Sequence, residues 1–206
     1  IEVMIRRPDQ ERILRKLLVF CKHLMGWMRD RTLVSLRNYA DEITGSVIKL
    51  MGDSDEDVRS MALMLGATLQ AKECVPHIIK LLDEQDWWLR MIAAETLGKI
   101  GDTRAVPPLV KALRESTSAM VCLEALARIG DKSASEGVLA CLSATQPETR
   151  AEAIRTLVRL NDSRVVPALE SCVEQDPSPA VRERAAYAVK QLNGEAPISE
   201  NANIEL

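Results

Sequence analysis

Apolar residues recur along this chain at helical rather than strand spacing. Across residues 106–113 they fall at Val106, Leu109, Val110 and Leu113, the i, i+3, i+4, i+7 stripe of an amphipathic helix. Just upstream, Ile92, Ala93, Thr96, Leu97 and Ile100 make a second such stripe. Both patterns return. RMIAAETLGKIGD at 90–102 aligns with AMVCLEALARIGD at 119–131 and RAEAIRTLVRLND at 150–162, at shifts of 29 and 31 residues. RSMALMLGATLQA at 59–71 is an earlier copy without the closing Gly-Asp, and residues 182–193 are a later partial one. The stripe of 105–113 recurs at 74–82 and 165–173, and at 135–142 without its proline.

Each copy therefore predicts a helix A, a tight Gly-Asp turn, a helix B and a polar loop. Pro76, Pro107 and Pro167 fall in the first turn of helix B, where a missing N–H costs nothing. Thr103, Ser133 and Ser163 are candidate caps for it. Asp176-Pro-Ser-Pro and Gln146-Pro-Glu mark entries to later A helices. Counting back one repeat gives an earlier helix B at 43–51 and its helix A at 31–40. Ahead of these, Asp9 is expected to cap a helix carrying Ile13, Leu14, Leu17, Leu18, Cys21, Leu24 and Met25 on one face and ending near Gly26. Trp27 is expected to pack this helix onto the stack. A lone helix pair cannot bury its own apolar stripe, so successive pairs must stack. The expected fold is all-α: a right-handed α-α superhelix of about five stacked helix pairs plus an N-terminal capping helix. The array is expected to be single over residues 1–193, with 1–28 as the cap and 29–193 as the repeats. Arg184, Lys190 and Gln191 are expected to give its last helix a polar outer face. Residues 194–206 have few packing signals and are expected to form a disordered tail.

The pattern A-x-x-x-L-x-x-I-G-D-x-x-A-V-P-x-L, carried without adjustment by Ile100-Gly101-Asp102 and Ala105-Val106-Pro107, resembles the short HEAT-like repeat of about 30 residues also found in phycobilisome lyases. The resemblance spans roughly residues 31–193. It implies the stacked fold, with B helices lining the concave side, and leaves function open because the shared residues are the ones that build the stack.

Composition agrees with close helix packing: 47% of residues are hydrophobic but only 3% aromatic. Charge is uneven. Residues 1–37 hold nine basic residues against four acidic ones, a surplus of five, so the remainder of this −3 chain is eight charges negative. The acidic remainder argues against nucleic acid as a partner. The five cysteines are scattered without a C-x-x-C, and read as small core fillers in a reducing, cytoplasmic setting. No apolar run is long enough to form a transmembrane segment.

Catalytic signals are few. The two histidines, His23 and His77, fall in different helices, and neither a His-Glu metal pair, a G-x-S-x-G nor a phosphate-binding glycine loop occurs. No cofactor or metal is expected, and the chain reads as a non-enzyme. Arg59, Arg90, Arg150 and Arg182 recur at one position; one reading is an anion-binding row, while the resemblance implies that each bonds the Asp or carbonyls of a neighbouring turn and holds the stacking register. Lys49, Lys80 and Lys111 recur on the B helices outside the core stripe; with His77 beside them they are candidates to bind an acidic protein partner, the alternative being a solvated row. Trp87 and Trp88 stand where another copy has Glu56 and Asp57, polar loop positions just before a helix A, so the core does not require them; they are candidate contact residues at the rim. These residues favour a protein-binding scaffold. The resemblance adds a second reading, a bilin lyase-like subunit acting on a phycobiliprotein.

Overall fold

A computed structural model describes residues 9–114 and 118–197. The chain divides into two compact units, residues 1–108 and 109–206. Among the described residues the secondary structure is entirely helical, as the periodicity requires.

In the first unit, α1 (Gln10–Lys22), α2 (Gly26–Ser35), α3 (Ala40–Leu50), α4 (Glu56–Leu69), α5 (Val75–Lys80) and α6 (Trp87–Ile100) follow one another. The A helices α2, α4 and α6 pack side by side, and α3 and α5 pack against the A helix that follows each. The interior is aliphatic: Val58, Leu63, Leu65, Ile78, Leu89, Ala93 and Leu97 are all at most 1% exposed. Hydrogen bonds at the C-terminal ends hold the A helices in register. Arg37 Nε donates to the Thr68 carbonyl at 2.7 Å, Gln70 Nε2 to that of Lys99 at 3.0 Å, and Arg104 Nη2 to that of Lys72 at 2.8 Å.

Helix α7 (Val106–Ala112) leads into the second unit, which holds α8 (Ala119–Ile129), α9 (Ser135–Leu139), α10 (Pro147–Leu160), α11 (Val166–Gln175) and α12 (Pro179–Leu192). Helices α8, α10 and α12 pack side by side, with α9 against α10 and α11 against α12. Gly137 on α9 allows a close approach: a Cβ there would lie 2.3 Å from Cγ1 of Val110. The three prolines occupy the first turns of α5, α7 and α11, and Pro147 and Pro179 open α10 and α12, as expected.

The A-to-B turn needs one residue in the left-handed region. Gly101 (φ 71°) and Gly130 (φ 72°) supply it, and Asn161 (φ 49°) and Gln70 (φ 56°) stand there in the other copies. The cap of the next helical segment is the aspartate that follows, not the Ser or Thr expected. Asp102, Asp131 and Asp162 accept the backbone N–H of Arg104, Ser133 and Arg164 at 2.9, 2.8 and 3.2 Å. An Asx turn two residues ahead reaches this N–H better than the intervening hydroxyl residue.

Other boundaries moved at the N-terminus. Helix α1 ends at Lys22, and Gly26 begins α2 rather than closing α1; α2 accordingly runs over 26–35, not 31–40. Asp9 makes no cap bond, because its carboxylate pairs with Arg12 at 2.9 Å. Helix α1 buries Leu14, Leu18 and Cys21 against the unit, while Met25 is 68% exposed. At the other end Gln191 is buried, not outward-facing, and donates to the Pro197 carbonyl at 2.8 Å. Most of the expected tail, residues 198–206, lies outside the described residues. Four cysteines are buried and Cys172 is half-buried, with burial pushing the Cys74 thiol up to about 11.

Two substitutions test these constraints by thermal melting. Gly137→Ala should destabilise by about 1–3 kcal/mol, as overpacking does. Asn161→Gly should stabilise by roughly 0.5–1 kcal/mol by relieving a left-handed non-glycine residue.

Candidate functional site

The arginine ladder is part of the framework. Nη1 of each arginine donates to the two carbonyls five and six residues upstream, in the loop entering its own helix A. Arg59 grips Asp53 and Ser54 at 2.9 and 3.2 Å, and Arg90 grips Glu84 and Gln85 at 2.7 and 2.9 Å. Arg150 grips Ala144 and Thr145 at 2.9 and 3.1 Å, and Arg182 grips Asp176 and Pro177 at 2.7 and 3.3 Å. Arg150 also makes a buried bidentate pair with Asp176, at 2.7 and 2.8 Å, which joins α10 to the loop entering α12. In the first unit Arg15 makes the corresponding pair with Asp53 at 2.8 and 3.0 Å, tying α1 to the loop before α4. These arginines are already engaged, so they are not an anion-binding row.

The same chemistry sets the charge state of the turns. The Arg104 guanidinium holds Asp102 down to about 2, Arg164 holds Asp162 well below the usual carboxylate range, and Arg150 lowers Asp176. Among the described residues no three His, Cys, Asp or Glu side chains converge as a metal would require, and no helix is long and apolar enough to cross a membrane.

The candidate binding residues are all on the surface. Lys49 on α3 is exposed and meets Glu11 of α1 at 3.0 Å, so an acidic ligand there would compete with a resident carboxylate. His77 and Lys80 are both exposed on α5, one turn apart. Lys111 is exposed on α7 and belongs to the second unit.

Trp87 and Trp88 are the first two residues of α6 rather than loop residues. Asp86 caps that helix by accepting the Trp88 N–H at 2.9 Å. Both side chains are exposed, 58% and 44%, and their rings meet edge to face with centroids 5.8 Å apart. Pairing makes the indoles a defined apolar platform instead of two free side chains. Neither tucks into the core, because Leu89 and Ala93 already fill it from the same helix.

Trp27 is 63% exposed and does not pack α1 onto the stack. It stands at the second position of α2, as Asp57 does in α4 and Trp88 in α6. The signal was available in the sequence: Arg29, Arg59 and Arg90 lie 30 and 31 residues apart, each two residues after one of these positions. Phe20, Met25, Met28 and Val34 are also exposed nearby in sequence.

With this architecture in place, the sequence comparison is direct. The HEAT repeats family model matches residues 45–122 and again 118–190, and the chain belongs to that family. No curated protein matches it. The complex of CpcE and CpcF of phycocyanin lyase from Nostoc sp. PCC7120 is similar, at 23% identity and a TM-score of 0.59, over 73% of this chain and 65% of that one. The chain thus spans less than two thirds of that relative's length. A designed armadillo repeat protein in complex with the peptide (KR)4 is similar at 20% identity and TM-score 0.57, over 92% of this chain and 97% of that one. The archaeal HEAT-like repeats protein from Thermococcus onnurineus NA1 matches at 12% identity and TM-score 0.50, over 94% and 100%. At these identities the likeness is one of fold.

The depressed carboxylates fix the sign of the pH dependence. A carboxylate held below its unfolded value near 4 contributes its full stability above that value and loses it as pH falls through the folded value. Melting temperature should therefore decline from about pH 4 toward about pH 2, and Asp102→Asn should flatten part of that slope. Asp176→Asn should lower the neutral-pH melting temperature more than Asp102→Asn, because it strands the buried Arg150 guanidinium.

Proposed function

We propose that the protein is a protein-binding scaffold without catalytic activity of its own, and that Trp87 and Trp88 anchor its partner. The exposure of this tryptophan pair carries the reading. Another copy begins its helix A with Glu56 and Asp57, and that helix packs equally well, so folding does not require indoles there. Tryptophan is enriched where binding energy concentrates, since it buries a large area with few rotors. Lys80 and His77 on α5, with Lys49 and Lys111, would read acidic groups on the partner. Lys49 would do so by exchanging Glu11 for a partner carboxylate. The designed armadillo repeat protein, an array of similar length in complex with the peptide (KR)4, supports the reading of this fold as a grip for a polypeptide.

The likeness to the CpcE–CpcF complex favours a second reading, a bilin lyase-like subunit acting on a phycobiliprotein or related chromophore protein. A shift in the visible spectrum when the protein is mixed with an open-chain tetrapyrrole and an acceptor subunit would support it, and an unchanged spectrum would remove it.

The scaffold reading is tested by comparing proteins captured from the source cells by the wild type, a Trp87→Ala/Trp88→Ala variant and a Lys80→Glu variant. The double variant should keep the wild-type melting temperature and lose its main partner, with binding weakened about 30-fold or more. Identical capture by the wild type and the double variant would defeat the anchoring role.

A further inference from the structure

The outer side of α2 is the least satisfied surface of the first unit. Five of the eight exposed large hydrophobic side chains fall within residues 20–34: Phe20, Met25, Trp27, Met28 and Val34. The neighbouring copy shows what such a surface ordinarily does. Asp30 and Arg31 correspond, 30 residues on, to Ser60 and Met61 of α4, which are buried at 9% and 8% exposure. On α2 the same two positions face water. Among the described residues this face of α2 lies open.

The residues on α2 indicate what fits there. Counting 100° per residue, Trp27, Asp30, Arg31 and Val34 form an outward stripe opposite the buried Leu36 at the end of the helix. The stripe is complementary to itself when reversed. If a second α2 lies antiparallel about a two-fold axis between positions 30 and 31, Trp27 of one copy falls opposite Val34 of the other. Asp30 then falls opposite Arg31. Large meets small and acid meets base along the stripe, as an isologous contact demands. The charges are available for it. Asp30 is 65% exposed and only loosely engaged by Arg29 at 3.7 Å, and Arg31 has no ion pair among the described residues.

We propose that the protein self-associates through α2, as an antiparallel two-fold dimer with reciprocal Asp30–Arg31 pairs at its centre, flanked by Trp27 packed on Val34. A ten-residue helix is about 15 Å long, so the buried area falls short of the roughly 1,600 Å² of a standard interface. The dimer is therefore a weak one that forms and dissociates with concentration. This contact is separate from Trp87 and Trp88, and each can be disabled without the other.

Sedimentation velocity, run from about one micromolar to a few hundred micromolar, tests it directly. The wild type should move from its 22.8 kDa monomer toward twice that mass as concentration rises. Trp27→Asp should weaken association by about 30-fold or more. Asp30→Arg should also weaken it, by placing like charges opposite each other, and adding Arg31→Asp should restore it. The Trp87→Ala/Trp88→Ala variant should associate like the wild type. All altered positions are exposed, and matching far-ultraviolet spectra will confirm that the variants fold. A monomer at every concentration overturns the proposal, as does a dimer indifferent to Trp27 and to the Asp30–Arg31 exchange.

Discussion

No helix pair of this chain can hide its own oily side, and everything else in the structure answers to that. An A helix such as α4 buries Val58, Met61, Leu63 and Leu65 in several directions at once, which a two-helix unit cannot do unaided. Stability is therefore lent between neighbours, and stacking becomes a condition of folding. It also explains the near absence of aromatic side chains inside. Helices packed about 8–10 Å apart are filled by Leu, Ala and Val, and Gly137 stands where two elements come too close for a Cβ.

Lending works only in register, and polar chemistry sets the register. Each ladder arginine closes the loop ahead of its helix by gripping two carbonyls, so the loop's backbone polarity is satisfied without another secondary element. An aspartate at the following turn caps the next segment. Where Arg104 follows Asp102, it reaches on to the preceding copy's Lys72 carbonyl. One short motif thus ends one helix, starts the next and fastens it to its neighbour. Side chains outside this framework are spared structural duty. The exposed indoles at the starts of α2 and α6 stand outside the framework, while the arginines belong to it.

The division of labour bears on how such a protein acquires a function. Repeat positions that face solvent can be changed copy by copy at little cost, and here one A-helix position carries tryptophan, aspartate and tryptophan in succession. The B helices show the same freedom with lysine in three copies and uncharged residues in two. The fold is shared with proteins as different as a lyase complex and a designed peptide binder, so identity lies in these variable positions.

The sequence alone determined the repeat, the helical class and the place of the prolines, because each follows from local spacing and backbone chemistry, while the framework role of the arginines was implied by the resemblance to short HEAT-like repeats. The left-handed turn was equally legible at Gly101 and Gly130. What only the tertiary structure decided was which surfaces remain bare. Gly26 looked like a helix stop and is a helix start, since a glycine's role depends on the chain on both sides of it. Trp27 looked like packing and is exposed; Gln191 looked exposed and is buried, bonded to the Pro197 carbonyl; Lys49 looked free and meets Glu11. Burial at the ends of an array, and pairing between side chains 38 residues apart, depend on which neighbours arrive, and periodicity does not encode that.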